Sequence, residues 1–396
     1  MGNLKRFAAF AAMILAVTAC IYPFEPVIEG KDGRLVVEGD IHIGTVSDFS
    51  FSRVYPIYDE DVSISTPVVK GYIEGEDGTR VESTPRPYSV IGYGYNEYGS
   101  YSVRFDTSNL RSDQRYRLHF EDQESGAVYE SDWVEVCPAP VIDDLSYILD
   151  EDRGELNVAL SMHCNGRSHF RWHYDEEWEY HARVWAFHYY DPVSNEVKEY
   201  EDGKNTYYCW SSFNSPQIKI FSTADQVDDR FVDLEFHHIG RTEQRLMVLY
   251  HITVYLEALD ENAYKYWNNI QVNSSNQGTI FSPTPSQMQG NIHCVSDPSV
   301  QVIGYMSAAE QSVADMYYDN QVERFYRDSY AYPIVTEMVN NPIDFYELYQ
   351  RGYAIYYIVE DIGQPTEYYW TTESCVDCRK LGGTKTKPSH WPNNHI

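Results

Sequence analysis

The stretch QRYRLHFEDQESGAVYESDWVEV, residues 114–136, decides the fold class of this chain. Within it, Tyr116, Leu118 and Phe120 alternate with polar residues, which is the period-two pattern of a strand buried on one face. Turn residues then separate two further short runs that are rich in β-branched and aromatic side chains. This spacing of short strands predicts that the segment closes an antiparallel β-sandwich.

The same pattern extends toward the N-terminus. Residues 34–43 and 68–83 contain short β-branched runs, and the Asp-Gly pair at 77–78 is a strong hairpin signal. A Pro-Ala-Pro run after Cys137 then interrupts the strands. We therefore predict an immunoglobulin-like β-sandwich over residues 32–137.

A larger β-rich domain is predicted over residues 138–374. It contains long strand candidates such as RLMVLYHITVYLEAL, residues 245–259. The segment ENAYKYWNNIQ predicts one helix, with Asp260 as its N-cap, because apolar residues recur there at helical spacing. Residues 308–365 are predicted to be an insertion. The predicted fold class is mostly β, with one or a few short helices and an irregular C-terminal tail held by disulfides.

Residues 169–191 form the most aromatic segment of the chain. One interpretation is a half-buried strand whose aromatic side chains belong to the core, and alternation along the segment favours it. The other is a ligand platform, since Trp and Tyr rings stack on sugars and on hydrophobic ligands. The platform residues would be Trp172, Tyr174, Trp178, Tyr180 and Trp185.

The first residues indicate export and a lipid anchor. Residues 1–19 combine two basic residues with an apolar stretch that is too short to span a bilayer, which is typical of a signal peptide. Small residues precede Cys20, as in a bacterial lipobox, so Cys20 is predicted to be the lipidated N-terminus. The alternative is an ordinary signal peptide cut near Ala19. Residues 20–31 would then be a lipidated tether.

Charge and composition exclude several classes of protein. Loss of Lys5 and Arg6 with the signal peptide lowers the basic residues from 30 to 28, against 60 acidic ones, and brings the net charge from −30 to −32. Such a field repels nucleic acid, so no nucleic-acid partner is expected. The 36 Tyr, 16 Phe and 8 Trp residues are far too many for a disordered chain.

Six cysteines remain after the lipidated one, and an even number in an oxidising compartment favours disulfides. They are Cys137, Cys164, Cys209, Cys294, Cys375 and Cys378.

The last two of these cysteines predict that residues 375–396 are a clasp fastened to the second domain. A bond between Cys375 and Cys378 themselves would close a very small loop and hold the tail to nothing. Cys209 and Cys294 are the predicted partners of this pair, which leaves Cys137 to bond with Cys164. A redox or metal role is the alternative for the pair. Six cysteines allow fifteen pairings, so peptide mapping is needed to decide.

No catalytic residue, metal site or cofactor is predicted, and the protein is not expected to be an enzyme. The sequence has no HExxH, nucleophile-elbow or phosphate-loop motif. His169 and His173 lie on a predicted strand, where four residues span roughly 13 Å, too far for one metal ion. With 60 carboxylates present, any pair chosen for glycoside hydrolysis is uninformative.

Several segments together resemble a known family. They are the lipobox cysteine, RLVVEGDI near the start, FRWHYDEEWEYHA in the aromatic segment, ENAYKYW, PSQMQGNIH, VIGYMSA and the closing CVDCRKLGGTKTKPSHWP. In this order they resemble a large family of Bacteroidota lipoproteins that carry a domain of unknown function (domain of unknown function 4249). Members of that family are commonly encoded beside TonB-dependent receptors.

The resemblance implies a location and a neighbour. It leads to an expected outer-membrane lipoprotein, facing the cell exterior, that works with a TonB-dependent receptor in ligand capture or receptor assembly. A stand-alone glycan-binding or adhesion lipoprotein is the second hypothesis, and an extracytoplasmic hydrolase is the third. The family has no established catalytic residues to transfer to this sequence.

Overall fold

The computed structural model describes most of the chain after its N-terminal segment. The described residues are 33–54, 66–86, 100–164, 166–201, 204–215, 219–224, 230–275, 290–328, 337–339, 341 and 344–392. The predicted signal peptide (1–19) and lipidated tether (20–31), with Cys20, lie outside these ranges.

The protein is mostly β, as predicted, with 52% of the described residues in strands and 11% in helices. The strands before residue 140 are β1 (Arg34–Glu38), β2 (Ile41–His42), β3 (Val46–Val54), β4 (Val69–Gly75), β5 (Arg80–Glu82), β6 (Thr84–Pro85), β7 (Tyr101–Asp106), β8 (Arg115–Asp122), β9 (Val128–Ser131) and β10 (Val134–Cys137). The next are β11 (Val141–Asp150), β12 (Glu155–His163), β13 (His169–His181), β14 (His188–Asp191), β15 (Glu196–Glu199), β16 (Tyr208–Asn214), β17 (Lys219–Ser222), β18 (Arg230–Gly240) and β19 (Leu249–Leu259).

The last third of the chain mixes strands with short helices. Its strands are β20 (Ile292–Cys294), β21 (Val302–Ile303), β22 (Ala308–Ala309), β23 (Gln311–Asp319), β24 (Glu337–Val339), β25 (Tyr353–Val359) and β26 (Glu367–Thr372). The helices are α1 (Glu261–Ser275), α2 (Asn320–Glu323), α3 (Phe345–Gln350) and α4 (Glu373–Val376), and 3-10 turns lie at Gln244–Leu246 and Cys378–Leu381.

Two sheets form the first β-sandwich. One has the strand order β21-β1-β3-β7-β6 and the other β2-β22-β10-β8-β4-β5, with β9 beside β8 and β20 beside β9. The predicted alternation in β8 is confirmed, because Tyr116, Leu118 and Phe120 are fully buried between the sheets. The hydroxyl of Tyr116 donates a hydrogen bond of 2.8 Å to the carbonyl of Arg111, which satisfies the one polar atom of this buried ring.

The first sandwich also takes strands from much later in the sequence. Strand β20 pairs with β9, β21 with β1, and β22 with both β2 and β10. The predicted second domain, residues 138–374, includes residues 292–309. This part of the prediction is wrong, because the strands within 292–309 pair with strands of the first sandwich. Strands of two or three residues are too short to show alternation, so their pairing partners cannot be read from the sequence.

Two further sheets form the second region. They have the orders β11-β12-β18 and β16-β13-β19-β23, with β17 also paired to β13. Because β23 is an integral strand of the second sheet and β22 belongs to the first sandwich, the predicted insertion cannot begin at residue 308. Strands β24, β26 and β25 form a separate small sheet.

Helix α1 follows β19 directly and begins as predicted. The Asp260 side chain accepts hydrogen bonds from the backbone amides of Asn262 and Ala263, at 2.7 and 2.9 Å. This is the N-cap arrangement, in which a side-chain oxygen satisfies amides that have no partner inside the helix. Ala263 and Tyr266, on the predicted apolar face, are buried.

A buried ionic cluster joins the first sandwich to the second region. The Arg171 guanidinium on β13 lies 2.7 Å from Asp40, between β1 and β2, and 2.9 Å from Glu257 on β19. His42 lies 3.4 Å from the other oxygen of Glu257, and the backbone amide of Ser307 donates to Asp40. Arg171, Asp40 and Glu257 are all buried, so ion pairing with Arg171 takes the place of hydration for both carboxylates.

The C-terminal tail is held against the second region by one disulfide, between Cys209 and Cys378. The predicted clasp therefore uses one of its two cysteines. The other predicted pairings are wrong for this structure, since Cys375 and Cys294 are thiols and no bond joins Cys137 to Cys164. Cys294 does not bond to the tail because it lies on β20, inside the core of the first sandwich.

Close packing also fixes the tail beyond the disulfide. Thr384 forms a backbone bridge with Trp210, and the Lys385 ammonium donates to the carbonyl of Tyr208 at 2.6 Å. A Cβ atom on Gly383 would lie 2.2 Å from the hydroxyl of Tyr180, so only glycine fits there without displacement. These contacts hold residues 383–385 of the tail against β16, the edge strand of this sheet.

Candidate functional site

The candidate site lies on the face of β13 that points away from the core between the two sheets. Along β13 the even-numbered side chains, such as Trp172 and Tyr174, enter that core. The odd-numbered ones, including Asp175, Glu177 and Glu179, lie on the opposite face because strand side chains alternate. The sequence FRWHYDEEWEYHA therefore builds an aromatic face and an acidic face on one strand.

Strand register gathers polar residues from three more strands beside these carboxylates. Glu177 pairs with Ser212 on β16 and with His251 on β19, and His251 pairs in turn with Tyr317 on β23. The neighbouring row consists of Asn214, Asp175, Thr253 and Asp315. Residues opposite each other in antiparallel strands have their Cβ atoms about 5 Å apart, so each row is one contact surface.

The tail adds the last side chains of the site. Trp391 is buried, and its indole Nε1 donates a hydrogen bond of 2.8 Å to the buried carboxylate of Glu179. The Trp391 ring also contacts Tyr317, with the ring centroids 5.9 Å apart. This anchor places the preceding residue, His390, over Glu177.

Glu177, His251 and His390 form the chemical centre of the site. The Glu177 Oε2 atom lies 3.4 Å from Nδ1 of His251 and 2.8 Å from Nε2 of His390. On its other side, Nε2 of His251 lies 3.2 Å from Oδ2 of Asp315. The hydrogen bond from His251 holds the pKa of Glu177 below its ordinary value, against the opposing effect of partial burial. One carboxylate is therefore kept ionised between two imidazoles.

A cavity of about 510 Å³ opens above these residues. It is lined by Asp175, Glu176, Glu177, Ser212, Asn214, His251, Thr253, Tyr255, Asp315, Tyr317 and His390. Among these described lining residues there is no Lys or Arg, so the carboxylates dominate the field inside. The cavity is suited to a cation or to a ligand that offers several hydrogen-bond donors.

The predicted aromatic platform does not exist as one surface. Trp172 and Tyr174 are buried in the core between the two sheets, Tyr180 is buried in a separate cluster with Cys378 and Trp391 of the tail, and Trp178 is half-buried against both. Trp185, by contrast, is 40% exposed. The core interpretation thus holds for the residues on β13, because Trp172 and Tyr174 lie on the face that meets the opposing sheet and Tyr180 is covered by the tail.

Exposed Phe187 and the half-buried rings of Tyr207 and Tyr208 gather around Trp185. Its ring centroid lies 4.9 Å from that of Tyr207 and 6.1 Å from those of Phe187 and Tyr208. Phe187 is 65% exposed. We call these four residues the Trp185 cluster.

The sequence analysis missed the histidines of the site. It considered His169 and His173, which the structure keeps apart: His169 hydrogen-bonds to Glu261 at 2.7 Å, and His173 stacks on Tyr255. The available signal was alternation in the strand candidate 245–259, which puts His251 on its polar face. The sequence gives no indication that this face pairs with the face that carries Glu177, or that His390 lies beside both Glu177 and His251.

Among the described residues, no helix has the length and apolar character needed to cross a membrane. A search of curated proteins gave no match to the chain. Among solved structures, it is similar to a DUF4785 family protein from Legionella pneumophila, at 8% identity and a TM-score of 0.19. That alignment covers 58% of this chain and 53% of the other, so the chain spans about half the length of that structure.

The match to a family model is extensive. Residues 21–314 match the domain of unknown function DUF4249, which covers both sheets of the first sandwich and the strands of the second region as far as the start of β23. The match includes Glu177 and His251 and ends before His390 and the tail cysteines. The chain therefore belongs to the DUF4249 family.

Proposed function

We propose that this protein is an outer-membrane lipoprotein, exposed at the cell surface, that captures a ligand for a TonB-dependent receptor. The observation that carries the capture role is the acidic cavity on the second region, with side chains from four strands and the tail converging on it. The receptor is proposed as partner because the chain resembles a family whose members are commonly encoded beside TonB-dependent receptors. The lipid anchor is proposed because residues 1–19 and Cys20 resemble a lipoprotein signal peptide and its lipobox cysteine.

The construction of the cavity supports binding. Its floor consists of cross-strand rows on a continuous sheet, and its wall is a tail fastened by a disulfide and by buried Trp391. Sites on rigid elements hold their side chains in place before the ligand arrives, which lowers the entropic cost of binding. A ligand held there remains accessible to a second protein, because His390 is exposed at the rim.

Co-purification tests this proposal. The full-length protein with a C-terminal affinity tag is expressed in its own host, crosslinked at the cell surface and purified from detergent extracts. We expect a TonB-dependent receptor in near-equal amount. The matched control is the Cys20→Ser variant, which should lose both the membrane anchor and the receptor. Recovery of the anchored protein with no receptor would contradict the proposal.

The Trp185 cluster favours the second hypothesis, a glycan-binding or adhesion protein. The exposed rings of Trp185 and Phe187 offer flat apolar faces on which sugar rings stack. A glycan array with the purified protein tests it, with Trp185→Ala expected to abolish binding and Tyr346→Ala, which removes an exposed ring elsewhere, expected to retain it. An array without any signal for the unmodified protein would exclude this function.

A further inference from the structure

We propose that Glu177, His251 and His390 bind a divalent transition-metal ion, with Zn²⁺ as the representative. This deepens the proposed function, on which it rests for its biological role, by naming the class of ligand that the cavity takes. The three side chains come from β13, β19 and the tail, and each contributes one ligand atom.

The distances suit a single ion. All three ligand atoms lie within 4.8 Å of one another, with separations of 3.4 and 2.8 Å from Glu177 to the two imidazole nitrogens. A tetrahedral zinc ion with bonds of about 2.0–2.2 Å holds its ligand atoms roughly 3.3 Å apart. The adjustment needed falls on His390, the most exposed of the three, while His251 is buried and fixed.

A second observation concerns the outer partner of His251. Its Nε2 atom faces Asp315 at 3.2 Å while its Nδ1 atom faces Glu177. A neutral imidazole has one proton and satisfies one of these two carboxylates, so the other faces a lone pair. A metal ion on Nδ1 resolves this conflict and produces the carboxylate–histidine–metal arrangement that orients ligands in metalloproteins.

The ligand set indicates which ions fit. Two imidazoles and one carboxylate suit Zn²⁺ and other first-row divalent ions, whereas Ca²⁺ and Mg²⁺ require mostly oxygen ligands. Three protein ligands leave at least one coordination position open, and here it faces the cavity. A metal bound in this way can carry an exchangeable ligand of its own, as a captured ion or chelate requires.

Metal titration tests the inference. The folded mature protein, with a tag that contains no histidine, is stripped with chelator and titrated calorimetrically with Zn²⁺, then with Ca²⁺ and Mg²⁺. We expect one equivalent of Zn²⁺ at micromolar affinity or better, and no comparable Ca²⁺ or Mg²⁺ binding. Asp315→Asn should weaken Zn²⁺ binding about 10-fold, in the range found for outer partners of metal ligands. His390→Gln and Glu177→Gln change a ligand itself and should weaken it by at least about 100-fold, the upper end of that range.

The controls separate a metal site from a surface ion pair and from a folding defect. His293→Ala removes a surface histidine that pairs with Asp132 at 3.2 Å, and it should leave Zn²⁺ affinity unchanged. Cys375→Ala should also leave it unchanged, which rules out the remaining tail thiol as the ligand. Circular dichroism and thermal unfolding must show that His390→Gln folds as the unmodified protein does.

Two results would overturn the inference. One is Zn²⁺ binding well below one equivalent, and the other is a folded His390→Gln variant with unchanged affinity. The unmodified protein is also carried through the receptor co-purification. If it recovers the receptor but binds no Zn²⁺, the metal site is refuted and the receptor partnership stands. If it binds Zn²⁺ but recovers no receptor, the partnership is refuted and the metal site stands.

Discussion

Removal of the Arg171 guanidinium should destabilise the protein strongly, because this group is the ion-pair partner of two buried carboxylates from different parts of the chain. The Arg171→Met variant keeps much of the aliphatic volume and removes the charge. It leaves Asp40 and Glu257 facing each other inside the junction between the first sandwich and the second region. His42 remains near Glu257 as the one other described cationic side chain in the cluster.

The expected magnitude follows from the burial of all three groups. Removing one partner of a buried ion pair costs about 3–5 kcal/mol, because an uncompensated charge stays behind. The matched control is Arg153→Met, whose side chain is 71% exposed and lies 3.6 Å from Asp150. An exposed pair of this kind contributes about 0–1 kcal/mol. The two substitutions are chemically identical, so their difference measures burial.

Urea unfolding monitored by tryptophan fluorescence provides the measurement. The double variant Arg171→Met/Glu257→Gln should recover part of the loss, since it removes one of the stranded charges, and this coupling is read from a double-mutant cycle. If Arg171→Met cost less than about 1 kcal/mol, as a surface pair does, the cluster would be solvated. A buried ionic cluster would then not be what joins the first sandwich to the second region.

Three further predictions concern the anchor, the tail and acid stability. Cys20→Ser should shift the protein from the membrane fraction to unprocessed precursor or soluble protein, and an unchanged membrane fraction would refute lipidation. Cys378→Ala opens a disulfide with a sequence separation of 169 residues. It should cost about 5 kcal/mol on the chain-entropy model, while Cys375→Ala should change unfolding by less than about 0.5 kcal/mol. Glu257 has a pKa below its ordinary 4.5, because Arg171 and His42 outweigh the opposing effect of burial. Its contribution is present above pH 4.5 and lost as pH falls, so Glu257→Gln should flatten the acid limb of a stability–pH curve; an unchanged limb would contradict this assignment.

Local features of the fold were accessible from the sequence. Alternation in β8 identified Tyr116, Leu118 and Phe120 as a buried face, and alternation along residues 169–191 favoured burial of the aromatic side chains of β13. The N-cap at Asp260 was equally readable, because a capping side chain acts within three residues of its own position. These features could be predicted because the pattern or hydrogen bond that determines each of them lies within a few residues of the chain.

The tertiary structure alone decided the site. Alternation assigns a side chain to a face, but the register between two strands determines which residue it meets. Glu177 and His251 are 74 residues apart and face each other only because β13 and β19 pair in one register. His390 joins them only because the Cys209–Cys378 bond and the burial of Trp391 direct the tail across that sheet. The site depends on contacts between distant residues, which no local pattern encodes, and this is why composition and spacing determined the strands but not the cavity.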